Sequence, residues 1–281
     1  YTGDSDFVRQ AYPTMEKIME RYQKGTAYHI RMEEDGLISA GDGLEQLTWM
    51  DVCIDGHLPT PRHGKPVEIN AYWYNAACVM NALASLAGRD GTPYRELSRK
   101  VRDSFREKFW WEEKHCLRDV LSGGPDEEQL RCNQIWAVSM PFTMLEPEQE
   151  KQVVETVGKA LYTPLGLRTL DPNDPDFHPT YGGPQEERDL AYHQGTVWPF
   201  PLGAYYLAYL KVHSHSAEAA RQVKNQMEAL LPALREGCAG QLPEIYDGET
   251  PTVSRGCFAQ AWSVGELLRA AEQLERNDIC I

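Results

Sequence analysis

Apolar residues recur every three or four positions along most of the chain. From Asp6 to Tyr22 they fall at Phe7, Ala11, Met15, Ile18 and Met19, which predicts one helix with a single greasy face, ended at Gly25. Glu68 to Ala87 is apolar on most sides and predicts a buried helix closed by Gly88, whereas Glu96 to Phe109 is charged around the stripe Leu97, Val101, Phe105 and Phe109. The alternation then repeats. Gln134 to Leu145 reads as buried and interrupted at Pro141, and Glu148 to Leu161 as outward-facing. Gly195 to Val212 reads as buried, Ala217 to Leu234 as outer and Phe258 to Leu274 as inner. Strand patterning is sparse, with Ala27 to Ile30 and Leu165 to Leu170 as the only hairpin candidates.

Long connections separate these helices: Glu33 to Pro66, Leu117 to Cys132, Pro164 to His193 and Gly240 to Gly256. Loops of more than about 15 residues inside a compact domain are usually functional. The absence of a βαβ alternation argues against a doubly wound nucleotide-binding sheet. No sequence repeat and no low-complexity linker divides the 281 residues, so a single domain 1–281 is expected.

Composition narrows the function. Forty-two acidic against 28 basic residues give a net charge of −14, which disfavours nucleic acid and anionic membrane surfaces as partners. No apolar run approaches the roughly 18 residues of a membrane helix, and no signal-peptide pattern opens the chain. Seven cysteines (Cys53, Cys78, Cys116, Cys132, Cys238, Cys257, Cys280), an odd number with no C-x-x-C pair, fit a reducing, cytoplasmic setting. They offer no zinc-ligand spacing, and no metal is expected.

Candidate chemistry sits in the loops. Leu47 to Asn75 holds Trp49, Asp51, Asp55, His57, Arg62, His63, Lys65, Glu68 and Asn70. A Trp near an Asp suits a sugar site, since the ring stacks on a pyranose face and helps keep a carboxyl protonated. The same spacing also fits a core Trp beside a turn Asp, and Arg62 to Pro66 also reads as a solvated basic loop. His193 and Gln194 precede Gly195, read as opening a helix whose first turns carry Trp198 and Pro199. The alternative for His193 is a core histidine satisfied by a loop carbonyl. Glu244 lies in a loop with Tyr246 and Asp247, where a solvated glutamate is the plain alternative. No G-x-S-x-G, H-E-x-x-H, phosphate-binding or dinucleotide motif is present.

Taken together the strings GDSDFVRQAYP, DGL, LTWMDVCIDG, PRHGKPVEINAYWYN, NQIWAVSMPF, DPNDPDFHPTYGG, AYHQGTVWPF, EIYDGETP and RGCFAQAWSVGELLR resemble the amylo-α-1,6-glucosidase family, the C-terminal catalytic domain of glycogen debranching enzymes. They occur in family order and span nearly the whole chain. The resemblance implies an all-α fold, the (α/α)6 toroid of glucoamylase-like six-hairpin glycosidases. It implies inverting hydrolysis of an α-1,6-linked glucose from a branched α-glucan, with no cofactor. Asp51 of TWMD is then the general acid and Glu244 of PEIYDG the general base, roughly 6.5–9.5 Å apart as inversion requires. Trp49, Arg62, His63, Lys65, Glu68, His193, Gln194 and Trp198 would line the glucose subsites.

Cys53 and Ile54 depart from the family continuation after Asp51. Eight main helices are read here against twelve in a complete toroid. The chain is therefore expected to be its C-terminal two-thirds, packing against a missing N-terminal part of the same polypeptide. Other classes kept in view are a glycoside phosphorylase on a similar toroid, a silent glucan-binding module and a helical scaffold. The carboxylate at Glu244 weighs against the first, retention of both Asp51 and Glu244 against the second, and the density of Trp, His and carboxylates in the loops against the third.

Overall fold

A computed structural model describes residues 2–236, 239–249 and 253–278. Its helices are α1 (Ser5–Lys24), α2 (Val67–Ala84), α3 (Thr92–Phe109), α4 (Ile135–Ser139), α5 (Pro147–Ala160), α6 (Gln185–Ala191), α7 (Pro201–Val212), α8 (Ala217–Glu228) and α9 (Ala261–Asp278). Local chemistry sets several boundaries. The Asp4 carboxylate caps α1 by accepting from the Phe7 N–H at 2.9 Å, and Gly25 ends that helix. Glu146 and Gln149 form a capping box around Pro147 at the start of α5, and the Ser216 hydroxyl caps α8.

The inner and outer characters separate in space as the periodicity requires. The apolar helices α2, α4 and α7 and the amphipathic α9, in which Ser263 and Ala270 are the residues described as buried, form a row of successive neighbours, with α1 beside α2. Helices α3, α5 and α8 pack behind that row, each turning one stripe inward: Leu97, Val101, Phe105 and Phe109 on α3, Val153 and Val157 on α5, Ala219 and Val223 on α8. Helix α7 approaches α9 closely because Gly203 has no side chain. A Cβ there would lie 2.3 Å from the Glu266 carbonyl oxygen.

Two helices and one predicted strand depart most from the sequence reading. Helix α4 is one short turn and a half, preceded by a 3-10 turn at Cys132–Gln134, because Met140 precedes Pro141 and is held extended (ψ 156°). Gly195 opens no helix: its φ of +136° is left to glycine, and a Cβ would meet the Phe177 ring at 2.6 Å. Helix α7 begins six residues later, at Pro201. The predicted strand at Ala27–Ile30 is a 3-10 turn, in which Tyr28 and His29 adopt positive φ.

The expectation of an all-α fold is corrected by short strands: β1 (Arg31–Met32), β2 (Ile38–Ser39), β3 (Lys65–Pro66), β4 (Trp110–Trp111), β5 (Cys116–Leu117), β6 (Val120–Leu121), β7 (Tyr162–Thr163), β8 (Gly166–Arg168), β9 (Val197–Trp198), β10 (Ile245–Tyr246) and β11 (Ser254–Arg255). The Leu165 to Leu170 expectation holds as the β7–β8 hairpin, with Tyr162 opposite Leu167. That hairpin is one edge of an antiparallel sheet in the order β11-β10-β9-β8-β7, with Tyr246 opposite Val197 and Leu167 opposite Trp198. Val197, Trp198, Ile245 and Tyr246 are buried on both faces, so their sequence shows no alternation. The sheet joins two distant loops: Gln194 lies three residues before β9, and Glu244 immediately precedes β10.

Candidate active site

Trp49 is the centre of an aromatic cluster drawn from three parts of the sequence. Its ring meets His193, Trp198 and Phe200 edge-on with centroids 5.4, 5.0 and 4.9 Å away. Trp262 of α9 stacks on Phe200 at 4.3 Å and reaches Trp49 at 6.3 Å. Trp198 is buried, its indole N–H donating to the Tyr192 carbonyl and the Thr196 hydroxyl, both at 3.1 Å. Trp262 is 37% exposed, so this ring, rather than Trp198, offers a face for stacking. His193 is sealed between Trp49, Tyr192 and Trp198 with neither ring nitrogen hydrogen-bonded among the described residues. Burial first, then the charges of Arg131 and Arg62, hold its pKa well below the usual histidine range.

Beneath the cluster runs a buried polar chain. Arg62 grips Glu68 at the start of α2 through two bonds of 2.5 and 2.6 Å and donates to Asp119 at 2.8 Å. Burial opposes the guanidinium charge, but the carboxylates of Asp119 and Glu68 outweigh it and raise its pKa. Asp119 accepts from Asn133 at 2.9 Å, and Asn133 accepts from the Trp49 indole at 2.7 Å. Arg62 and Glu68 therefore position Trp49, and each carboxylate already has its partner. Gln194 belongs to a parallel brace: it accepts from Arg131 and donates to the Pro59 carbonyl at 2.7 Å.

Asp51 and Glu244 lie close enough for the charge of Glu244 to act on Asp51. Asp51 is exposed, and partial burial lifts its carboxyl above the ordinary range. Its own backbone N–H opposes that rise and the negative charge of Glu244 adds to it. Glu244 is half-buried and held at both oxygens, by the Cys257 N–H at 2.9 Å and the Gln260 amide at 3.0 Å. The Tyr192 hydroxyl also bonds Glu244; burial, then that bond and charge, push the phenol well above its usual range. Asp247 is engaged elsewhere, by the Tyr181 N–H at 2.8 Å and Arg255 at 3.1 Å.

Two of the predicted site residues point away from this group. Lys65 on β3 turns to Asp35 at 2.6 Å and Glu33 at 2.8 Å, in a charged cleft shared with Lys108. His63 packs by Gly41 and Glu45, its Nε2 buried and without a partner among the described residues. Five residues gain a place here that residue type alone does not reveal: Asp119, Asn133, Tyr192, Gln260 and Trp262. Four of them lie inside the quoted motifs (NQIW, AYHQG, AQAW). Asp119 lies outside them, and the signal for it is the need to neutralise a buried Arg62. Among the described residues, His29, Asp42 and Glu45 bring ligand atoms within 4.8 Å of one another; His29 and Asp42 are exposed and paired at 3.1 Å, and the half-buried Glu45 accepts from the Gly43 N–H at 3.0 Å.

A family model described as amylo-alpha-1,6-glucosidase matches residues 1–269. The glycogen debranching enzyme of Saccharomyces cerevisiae is 26% identical over 247 aligned residues, which cover 72% of this chain and 16% of that protein. Among solved structures, a sialidase superposes with a TM-score of 0.72 at 17% identity, over 95% of this chain and 24% of that one. The GH63 mannosylglycerate hydrolase of Thermus thermophilus, in complex with glucose, gives 0.67 at 17% identity, over 95% and 69%. At such identities the structural likeness establishes the fold alone.

Proposed function

Because this chain belongs to the amylo-alpha-1,6-glucosidase family, we propose that it is a glycoside hydrolase removing α-1,6-linked glucose at branch points of glycogen or a related α-glucan. The observation that carries the reading is the unequal pair of carboxyls. Asp51, whose carboxyl is raised by partial desolvation and by the charge of Glu244, is the member better suited to hand a proton to the leaving oxygen. Glu244, oriented by Cys257, Gln260 and Tyr192, takes a proton from the attacking water. Attack from the face opposite the leaving group inverts the anomeric carbon, and two carboxyls suffice without a cofactor. Trp49 and Trp262 supply apolar ring surface for the glucose.

The architecture fits residues 1–281 as one domain, most of an (α/α)6 toroid with α2, α4, α7 and α9 among its inner helices. Ile18 of α1 is 52% exposed, Tyr72 of α2 48% and Leu268 of α9 64%; these apolar faces would seat the remaining N-terminal helices of the same polypeptide. The described cysteines, Cys53, Cys78, Cys116, Cys132 and Cys257, are all free, which supports a cytoplasmic enzyme; Cys238 and Cys280 lie outside the described residues. No described helix is long and apolar enough to cross a membrane.

The test uses the full-length protein. Glucose released from a branched α-glucan should first appear in NMR as the β-anomer, without added phosphate. Asp51→Asn should lose at least ~100-fold on the glucan while still turning over α-glucosyl fluoride, and Glu244→Gln should lose both. Near-normal hydrolysis of both substrates by Glu244→Gln places the base elsewhere, and dependence on phosphate makes the protein a phosphorylase.

A further inference from the structure

A cleft of about 470 Å³ opens between α8 and β7, the edge strand at the other end of the sheet from β10 and β11. Its floor is Tyr162 with Pro164, and its wall is a single stripe of α8 carrying Glu218, Arg221, Gln222, Asn225 and Gln226. Two members are preset. The Tyr162 ring packs on Tyr205 with centroids 5.4 Å apart, and the Gln222 carbonyl accepts from the Tyr209 hydroxyl at 2.8 Å, which leaves its NH₂ group as a donor.

As on part of α3, where Glu96 pairs with neither Arg99 nor Lys100 among the described residues, this stripe leaves its charges unpaired. Charges three or four residues apart pair on α1 (Arg9 with Asp6, Lys24 with Glu20), on α5 (Lys151 with Glu155) and on α9 (Arg269 with Glu266). Glu218 and Arg221 have the same spacing, yet neither joins an ion pair among the described residues. Arg221, Asn225 and Gln226 likewise have no hydrogen bond from their side chains within that set. The cleft therefore combines one rigid aromatic ring with an acceptor, a cation, two unengaged amides and the free NH₂ group of Gln222. A polyanion is opposed by Glu218 and by the chain's charge of −14. A pyranose matches this set, since its apolar face stacks on a ring while its hydroxyls both donate and accept.

We propose that the cleft between Tyr162 and α8 binds a neutral α-glucan chain as a second, non-catalytic site; the choice of glucan rests on the function proposed above. Strand β7 is three strand spacings from β10, roughly 14 Å across the sheet. One branched polymer can thus engage this cleft while a branch point occupies the Asp51–Glu244 end.

Hydrogen-exchange mass spectrometry of the full-length protein with linear maltoheptaose tests the site directly. Protection is expected over residues 162–165 and 217–229, and is lost in Arg221→Ala/Gln226→Ala, whose replaced side chains point to solvent. Tyr162→Ala should also lose it, provided that its thermal melt matches the wild type. Absence of protection in the wild type, or full protection in the double variant, overturns the proposal. Turnover of α-glucosyl fluoride reports separately on Asp51 and Glu244. Turnover without protection refutes the cleft alone, and protection without turnover refutes the hydrolase reading alone.

Discussion

His193 makes a quantitative demand on the pH dependence of folding. The ring is 1% exposed, packed against Trp49, Tyr192 and Trp198, and both nitrogens lack partners among the described residues. With Arg131 and Arg62 nearby as well, the folded state keeps the imidazole neutral far below the usual titration range. The unfolded chain titrates this residue near pH 6.5, so it binds the extra proton as pH falls and stability drops with it. Between pH 7.5 and 5.5 that single group removes about 1.4 kcal/mol. His193→Leu deletes the effect and leaves no orphaned nitrogen, so at pH 7.5 its stability should equal or exceed the wild type. Urea unfolding followed by tryptophan fluorescence at both pH values measures the difference. The wild type should lose about 1.4 kcal/mol more than the variant on acidification. Equal losses, or an imidazole that titrates near pH 6 in NMR of the folded protein, would refute the reasoning. Reduced glucan hydrolysis by an equally stable His193→Leu would assign the ring to the glucose subsite.

Three further outcomes follow from the packing and the polar network. Arg62→Met strands two buried carboxylates and should cost about 3–5 kcal/mol, a fall of roughly 6–20 °C in Tm by calorimetry. Gly203→Ala forces α7 from α9 and should cost about 1–3 kcal/mol by denaturant titration; an unchanged midpoint would mean that the helices separate freely. The raised Asp51 carboxyl should set the basic limb of the pH–rate profile, activity falling as pH rises through its pKa. Because the Glu244 charge contributes to that rise, Glu244→Gln should lower the Asp51 titration midpoint in carboxyl-carbon NMR.

The eight long or buried helices were legible because their signal is local. A stripe such as Leu97, Val101, Phe105 and Phe109 encodes both the helix and the side that it buries. Motif order likewise points to the family from the residues alone. What the pattern could not carry was pairing between distant segments. Strands of two or three residues, buried on both faces, have no period to read, so the sheet that draws Gln194 and Glu244 toward each other is visible only in three dimensions. The same holds for the partner that each polar side chain finds. Arg62, Lys65 and His193 read alike as candidate sugar ligands, yet one closes a buried ion pair, one faces Asp35 and one is sealed without a hydrogen bond. Residue type states what chemistry a side chain can do, whereas burial and neighbours, contributed by residues dozens of positions away, decide which of it remains available.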